Sequence, residues 1–296
     1  MWAGPPRMRS KAALLLALLA SPVAAEPADC PALAATLEAL TGYHIVAPKP
    51  VRQEGWCVYA QPLLQSPGAP DLAAKRLRLR GERAEGDLAT LAFDAGGIRV
   101  APGFGQRDLA PLLRETLRLQ TVDLTFEATA GAAGLALRQG RLRLSGGTDL
   151  AVEADLAGAG FSAGSLLSGR VTWARLDWRN DGKFLRPALE HWGKGLSDPA
   201  PRGTAVDAAR QALQQLLRNL PAAFFQDKAQ ERLERVIDLL PQGRGRLVLE
   251  LAAPQGIGAA EVAVAALSRE PLGPEALARL FAKAQLSVAW QPGLAP

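Results

Sequence analysis

Sulfur-containing residues are scarce in this chain of 296 residues, which has only two cysteines and two methionines. Cys30 and Cys57 do not form a C-x-x-C motif, and the nearest histidine, His44, stands alone. This spacing argues against a cysteine-based zinc or redox centre. In an oxidising compartment two cysteines most simply pair with each other, so we predict a Cys30–Cys57 disulfide. The loop-closure model gives such a bond about 3–4 kcal/mol of stabilisation.

Histidine is equally rare, because the chain contains only His44 and His191. General acid–base catalysis near neutral pH most often uses histidine, so few catalytic candidates of this kind exist. A complete G-x-G-x-x-G motif is also missing, since Ala163 stands where the last glycine is needed after Gly158 and Gly160. We therefore predict no cofactor-binding residue and no metal ligand.

Long hydrophobic runs are lacking except near the N-terminus, where residues 1–25 have the features of a signal peptide. Cations between residues 7 and 11 precede an apolar run over residues 12–20 that is too short to span a bilayer. Small residues before Glu26 provide a cleavage site after Ala25. The sequence thus predicts export, to the periplasm of a bacterium, with no transmembrane anchor after cleavage.

An excess of positive charge is lacking once the signal peptide is set aside. The formal charge of +5 includes three cations and no acid from residues 1–25, so 31 cations face 29 acids in the remainder, a net charge of +2. The densest basic segment, residues 75–80, alternates with leucine like one face of a strand. Nucleic-acid binding needs a basic patch that neutralises phosphates, and we predict no nucleic-acid partner.

The dominant pattern is a two-residue alternation of apolar and polar side chains, which is typical of half-buried antiparallel strands. Stretches with helical periodicity interrupt it. We therefore predict an α+β fold in which amphipathic helices pack on a curved, mostly antiparallel sheet.

Five segments follow from these patterns. Residues 1–25 are the signal peptide, and residues 26–70 form a disulfide-tied segment with a helix over 31–41 and short strands. Residues 71–182 form an antiparallel β region, and residues 183–242 form a helical insertion. Residues 243–296 are predicted to contain a β-hairpin, a helix and a final strand.

A three-stranded meander is predicted over residues 119–156. The alternation changes phase at Gln139-Gly140, which indicates a β-bulge. The outer strands carry carboxylates, at Asp123, Glu127, Asp149, Glu153 and Asp155. The middle strand carries arginines, at Arg138, Arg141 and Arg143. Clustered carboxylates are compatible with a cation site, but the arginines between them favour cross-strand ion pairs.

The second half of the chain gives more local signals. Thr204, three residues before Asp207, is predicted to cap a helix that ends before Pro221. Pro254-Gln255-Gly256 is predicted to join strands over residues 246–252 and 259–267. Trp173 and Trp178 differ in strand parity, so they are expected to lie on opposite faces of the sheet.

An internal similarity relates two segments that are 164 residues apart. Apolar positions match in both segments at Ile98, Val100, Leu113, Leu117, Val122, Leu124 and Phe126, and at Val262, Val264, Leu277, Phe281, Leu286, Val288 and Trp290. Both segments have the pattern strand, helix, strand, which suggests two related halves separated by the helical insertion.

Gly160-Phe-Ser162-Ala-Gly164 matches the G-x-S-x-G pattern of a serine-hydrolase nucleophile elbow. Asp177 or Asp181, followed by His191, completes the chain order of a catalytic triad. The expected setting is missing, because the preceding strand is half polar and residues 165–170 predict no helix. A serine hydrolase with Ser162 as nucleophile is the enzymatic alternative.

The signal peptide, the amphipathic strands that begin Arg-Leu-Arg-Leu or Gly-Arg-Leu-Val-Leu, and the Gly-rich turns resemble the AsmA-like group of bacterial envelope proteins. The resemblance covers residues 72–178 and 243–291. It implies a curved sheet with a role in envelope or lipid homeostasis, and it assigns no functional residue. We therefore expect a non-enzymatic binding or scaffold protein of the cell envelope, with an apolar ligand such as a lipid or an envelope protein as partner.

Overall fold

A single curved, antiparallel sheet of 14 strands organises the molecule. The computed structural model describes residues 25–67, 69–100, 119–180, 185–196, 202–262 and 273–293. The strands are β1 (Glu26–Pro27), β2 (His44–Val46), β3 (Val51–Gln53), β4 (Trp56–Ala60), β5 (Leu63–Ser66), β6 (Ala69–Ala73), β7 (Arg76–Ala84), β8 (Asp87–Val100), β9 (Val122–Gly131), β10 (Gly134–Leu144), β11 (Asp149–Ala157), β12 (Arg170–Asn180), β13 (Gly245–Gly258) and β14 (Gln285–Pro292).

Six α-helices and one 3₁₀ helix lie within the described ranges and outside the sheet. They are α1 (Cys30–Thr41), α2 (Ala163–Ser168), α3 (Leu185–Leu196), α4 (Arg202–Asn219), the 3₁₀ helix Ala222–Phe224, α5 (Ala229–Asp238) and α6 (Pro274–Leu280). A further helical turn covers residues 259–262. The predicted α+β class with a curved antiparallel sheet is confirmed.

The eight strands β7–β14 pair in chain order, each with its neighbour. At β8 the sheet branches: residues up to Gly96 pair with β7, whereas Arg99 and Val100 pair with β6. The bulge predicted at Gln139-Gly140 is confirmed, since the register of β10 shifts there against both neighbours. Gln139 adopts a left-handed φ of 53°, which lets the strand absorb the extra residue.

The predicted disulfide is confirmed and ties α1 to strand β4. Cys30 and Cys57 lie 5.5 Å apart at their Cα atoms. Asp29 caps α1 by accepting a hydrogen bond from the Ala32 amide at 2.7 Å, and Gly42 ends the helix at φ 73°. An aspartate cap and a glycine stop thus set the two ends of α1 in the folded protein.

Helix α1 approaches the sheet closely because Gly81 in β7 has no side chain. A Cβ atom there would lie 2.7 Å from a methyl carbon of Leu33, which is 1% exposed. Complete burial of a leucine side chain stabilises a fold by about 1.5–3 kcal/mol. Leu33 and Leu37 therefore anchor α1 on the leucines of β7.

Helices α3 and α4 also cross at a glycine. A Cβ atom on Gly193 would lie 1.8 Å from the carbonyl oxygen of Ala205, so the two backbones are in direct contact. Leu189, Val206 and Ala209 form the buried cluster of this pair. Helix α3 and helix α4 both lie within the helical insertion predicted over residues 183–242.

The predicted cap of α4 is wrong. The helix begins at Arg202, so Thr204 lies inside the first turn and does not precede it. Asp207 pairs with Arg210 at 2.6 Å instead of completing a capping box. Packing against α3 therefore lets α4 begin two residues before Thr204, the residue that the local sequence selects as its cap.

The predicted hairpin around Pro254-Gln255-Gly256 is also wrong. β13 continues through these residues to Gly258, with a register shift against β12. Arg170 donates hydrogen bonds to the carbonyl oxygens of Gln255 and Gly256 at 3.1 and 2.6 Å. A turn-like sequence is therefore accommodated as an irregularity inside one strand.

The internal similarity is only partly reflected in structure. Ile98 lies in β8, but its counterpart Val262 lies in a helical turn. Val264, Leu113 and Leu117 fall outside the described residues. Leu286, Val288 and Trp290 do lie on β14, as predicted.

Candidate functional site

One face of the sheet is apolar across eight strands. Residues that lie directly opposite each other on neighbouring strands share a face. A continuous row of such partners runs from β7 to β14 through Leu77, Ala95, Leu124, Leu142, Leu150, Trp178, Leu247 and Trp290. We refer to this side as the apolar face and to the other side as the charged face.

The charged face is crossed by ion pairs, as the alternation of arginine and carboxylate strands predicts. Arg138 contacts Asp155 at 2.6 Å, and Asp149 accepts from Arg141 and lies 3.8 Å from Arg143. Further pairs join Arg78 to Asp94 and Arg246 to Asp177, the last with Nε at 2.9 Å from Oδ1. The cross-strand ion-pair interpretation of the meander is confirmed for Asp149 and Asp155. Glu127 instead lies 3.8 Å from Arg80 of β7, and Asp123 accepts a hydrogen bond from the Gly97 amide at 2.7 Å.

These pairs change the titration of two aspartates. The hydrogen bond from Arg141 holds the pKa of the Asp149 carboxyl below its ordinary value. The hydrogen bonds from Arg246 lower the pKa of Asp177 in the same way. Both carboxylates therefore stay ionised at neutral pH, and their charges are balanced by the neighbouring arginines. Within the described ranges, no group of three or more potential metal ligands is present.

The two tryptophans of β12 lie on opposite faces, as predicted. Trp178 packs in the apolar cluster with Leu247 and Trp290. Trp173 donates a hydrogen bond from Nε1 to Glu250 at 3.1 Å, and Arg138 lies over its ring. Trp173 is thus part of the charged face.

Helices cover the apolar face at its two ends. At the N-terminal end, Leu33 and Leu37 of α1 pack on Leu77, Leu79 and Leu91. At the C-terminal end, Ala229 and Val236 of α5 pack on Leu247 and Val288, and Phe224 packs beside Ala253. Each end therefore has a closed hydrophobic core of its own.

Between these ends lies a group of apolar residues that we name the central apolar strip: Leu142, Leu150, Val152 and Leu176. All four are only half-buried, and none belongs to a hydrophobic cluster among the described residues. Leu150 is paired with Leu142, and Val152 with Leu176. Helix α2 contributes Leu166 to a small cluster beside Ala128 and Leu135, on the rows next to the strip.

The strip offers only aliphatic surface. Its strands are paired on both sides, so backbone groups are used in the sheet ladders. Gly140, the cross-strand partner of Val152, adds no side chain at the bulge. Such a surface can bind apolar groups but provides neither a nucleophile nor a proton donor.

The three residues of the enzymatic alternative lie on different elements. Ser162 is the N-cap of α2, with an extended backbone (φ −135°, ψ 150°), and its hydroxyl accepts a hydrogen bond from the Ser165 amide at 3.1 Å. Asp177 lies on the charged face of β12, and His191 lies in α3. Within the described residues, no hydrogen bond joins the three side chains; Asp181 lies outside these residues. The hydrolase stays a prediction.

Helix α2 itself differs from expectation, since residues 165–170 predict no helix. The capping hydroxyl of Ser162 supplies the start that the short apolar sequence lacks, and Gly169 follows the last residue. The sequence alternation indicated which residues belong to the apolar face. It gave no signal that the helices leave Leu142, Leu150, Val152 and Leu176 half-buried.

The fold is an α+β fold whose sheet carries a strip of four half-buried aliphatic residues. The chain matches no protein-family model, and no curated protein sequence matches it. In the part of the chain that the structure describes, no helix has the length and apolar character needed to cross a membrane.

Proposed function

We propose that this chain is a non-enzymatic binding protein of the bacterial cell envelope that holds an apolar ligand on the central apolar strip. One observation carries the proposal. Leu142, Leu150, Val152 and Leu176 continue the apolar face of the sheet, yet they are half-buried and outside the hydrophobic clusters beneath the helices. Contiguous apolar surface of this kind marks interaction sites.

An aliphatic chain, as in a lipid, is the ligand that suits the strip best. The four residues are leucine or valine, and the adjoining positions Ala154 and Ala174 are alanine. Protein interfaces are enriched in aromatic residues, methionine and arginine, none of which the strip contains. Dispersion contacts and desolvation would supply the affinity, at about 25 cal/mol per Å² of apolar surface buried.

Export to the periplasm is part of the same proposal. Residues 1–25 have the pattern of a cleaved signal peptide, and the Cys30–Cys57 disulfide is of a kind that persists in oxidising compartments. A binding protein between two membranes has access to lipid on both sides.

Native mass spectrometry of the purified protein, combined with extraction and identification of co-purified lipids, tests this function. Val152→Asp places a carboxylate on the strip and should abolish lipid recovery. Ala151→Asp is the matched control, because Ala151 is the neighbouring, equally half-buried residue on the charged face. It should leave recovery unchanged.

Repeated purification of a ligand-free protein, with no lipid taken up from detergent-solubilised extracts, would contradict the proposal. Equal loss of lipid in the Val152→Asp and Ala151→Asp variants would also contradict it. Capture of an envelope protein by crosslinking at the strip, without lipid, would replace the lipid by a protein partner.

A further inference from the structure

A cleft of about 290 Å³ opens at one end of strands β12 and β13, beside α6. Its apolar wall includes Ala253, Ile257 and Ala284, each at most 4% exposed. These residues belong to the cluster that packs α6 and Phe224 on the sheet. The cleft therefore has a firm apolar wall.

The rim of the cleft is cationic. Arg170, Arg279 and Lys283 line it, and Glu261 is the one carboxylate among the described lining residues. Arg170 is fixed by its hydrogen bonds to the carbonyl oxygens of Gln255 and Gly256. Within the described ranges, Arg279 and Lys283 form no ion pair and no side-chain hydrogen bond. Two of the three rim cations are thus without an ion-pair partner in the part of the chain that the structure describes.

The cleft lies at the end of an apolar path that leads to the central apolar strip. Arg170 begins β12 on the charged face, and the next residue, Val171, lies on the apolar face opposite the cleft residue Ile257. Leu176 is five residues beyond Val171 on the same strand, about 17 Å away at the rise of an extended chain. Ala174 occupies the apolar face between them, opposite Leu251. A long acyl chain can cover this distance.

We propose that the cleft binds the anionic headgroup, a phosphate or a carboxylate, of an amphiphile whose acyl chain lies on the central apolar strip. The inference rests on the proposed function, because the strip holds the chain of the same ligand. The cationic rim attracts the headgroup, and the apolar path accepts the chain. The protein then distinguishes anionic from zwitterionic lipids.

Binding of two amphiphiles that share one palmitoyl chain tests the inference. Palmitoyl lysophosphatidate should bind at least about tenfold more tightly than palmitoyl lysophosphatidylcholine in isothermal titration, since each added cation strengthens attraction to an anionic lipid. The double variant Arg279→Glu/Lys283→Glu should remove this preference and retain affinity for the zwitterionic lipid.

The matched control is Arg218→Glu/Arg235→Glu, which makes the same change of net charge at exposed positions of α4 and α5. It should keep the preference. Loss of the preference in both double variants would show a general charge effect and overturn the site.

The remaining outcomes separate the two proposals. Equal affinity of the original protein for both lipids overturns the headgroup site and leaves the strip intact. Binding of neither lipid overturns the strip and the headgroup site together. If inorganic phosphate binds as tightly as lysophosphatidate, the cleft is an anion site without a lipid, which also contradicts the inference.

Discussion

The two ends and the middle of one apolar face have different degrees of cover. Under α1, Leu77 and Leu79 are 0% exposed and Leu91 is 1% exposed. In β11, all nine residues are half-buried, on both faces of the strand. The alternation of apolar and polar residues is similar in both regions. Among the described residues, Leu150 and Val152 of β11 belong to no hydrophobic cluster under a helix, and only Leu156 at the end of this strand clusters with Leu166 of α2. A pattern of strands therefore identifies an apolar face without showing whether that face belongs to a core or to a binding surface.

Truncating one leucine in each region should give the largest contrast. Leu79→Ala should lower the free energy of unfolding by about 3–5 kcal/mol, because it leaves a cavity in a closed core. Leu150→Ala, on the strip, should lower it by about 1 kcal/mol, since less apolar area is lost from a half-buried site. Urea denaturation of both variants checks this, and equal losses would show that the strip is core.

Removing the disulfide should affect the covered end of the face next most strongly. The Cys30→Ser/Cys57→Ser variant should lose about 3–4 kcal/mol, because the unfolded chain gains the freedom of a loop whose ends are 27 residues apart in sequence. Thermal unfolding monitored by circular dichroism gives the measurement. If reductant lowers the melting temperature of the original protein and leaves that of the double variant unchanged, the lost stability is due to the disulfide and not to the serine substitutions.

Filling the glycine contact between α3 and α4 should have an intermediate effect. Gly193→Ala forces a methyl group against the Ala205 backbone and should cost about 1–3 kcal/mol. Gly195→Ala is the control, because a Cβ atom there has no neighbour within 4 Å. Chemical denaturation should show destabilisation for the first variant only, and the opposite order would contradict the helix crossing.

The smallest expected effect concerns the charged face. The pKa of Asp177 is lowered in the folded protein by Arg246, so the pair contributes stability above the ordinary aspartate pKa. This contribution is lost as the pH falls through the lower folded-state value. Asp177→Asn should therefore reduce stability at neutral pH, by about 1 kcal/mol or less, and make stability less dependent on pH in the acidic range. Parallel pH titrations of unfolding check the sign.

Much of the fold was predictable, because it depends on local signals. The bulge at Gln139, the helix predicted over residues 31–41 and the opposite faces of Trp173 and Trp178 all follow from residues close in sequence. The errors have a common cause. At Thr204 and at Pro254-Gln255-Gly256, contacts with distant residues override the local turn and cap preferences.

The candidate site was less predictable than the fold. Alternation assigns Leu150 and Val152 to one face, but their exposure depends on where α1 and α5 dock. That docking depends on contacts such as Leu33 with Gly81 and Val236 with Leu247. The cationic cleft likewise combines residues from β12, β13 and α6, which no single sequence motif contains.

Photocrosslinking inside cells tests the central claim most directly. A photoreactive amino acid placed at position 152 points onto the strip, and the same amino acid at position 151 points to the charged face. We predict a lipid adduct, identified by mass spectrometry, at position 152 and none at position 151. Lipid adducts at both positions, or at neither, would contradict the assignment of the strip as a lipid-binding surface.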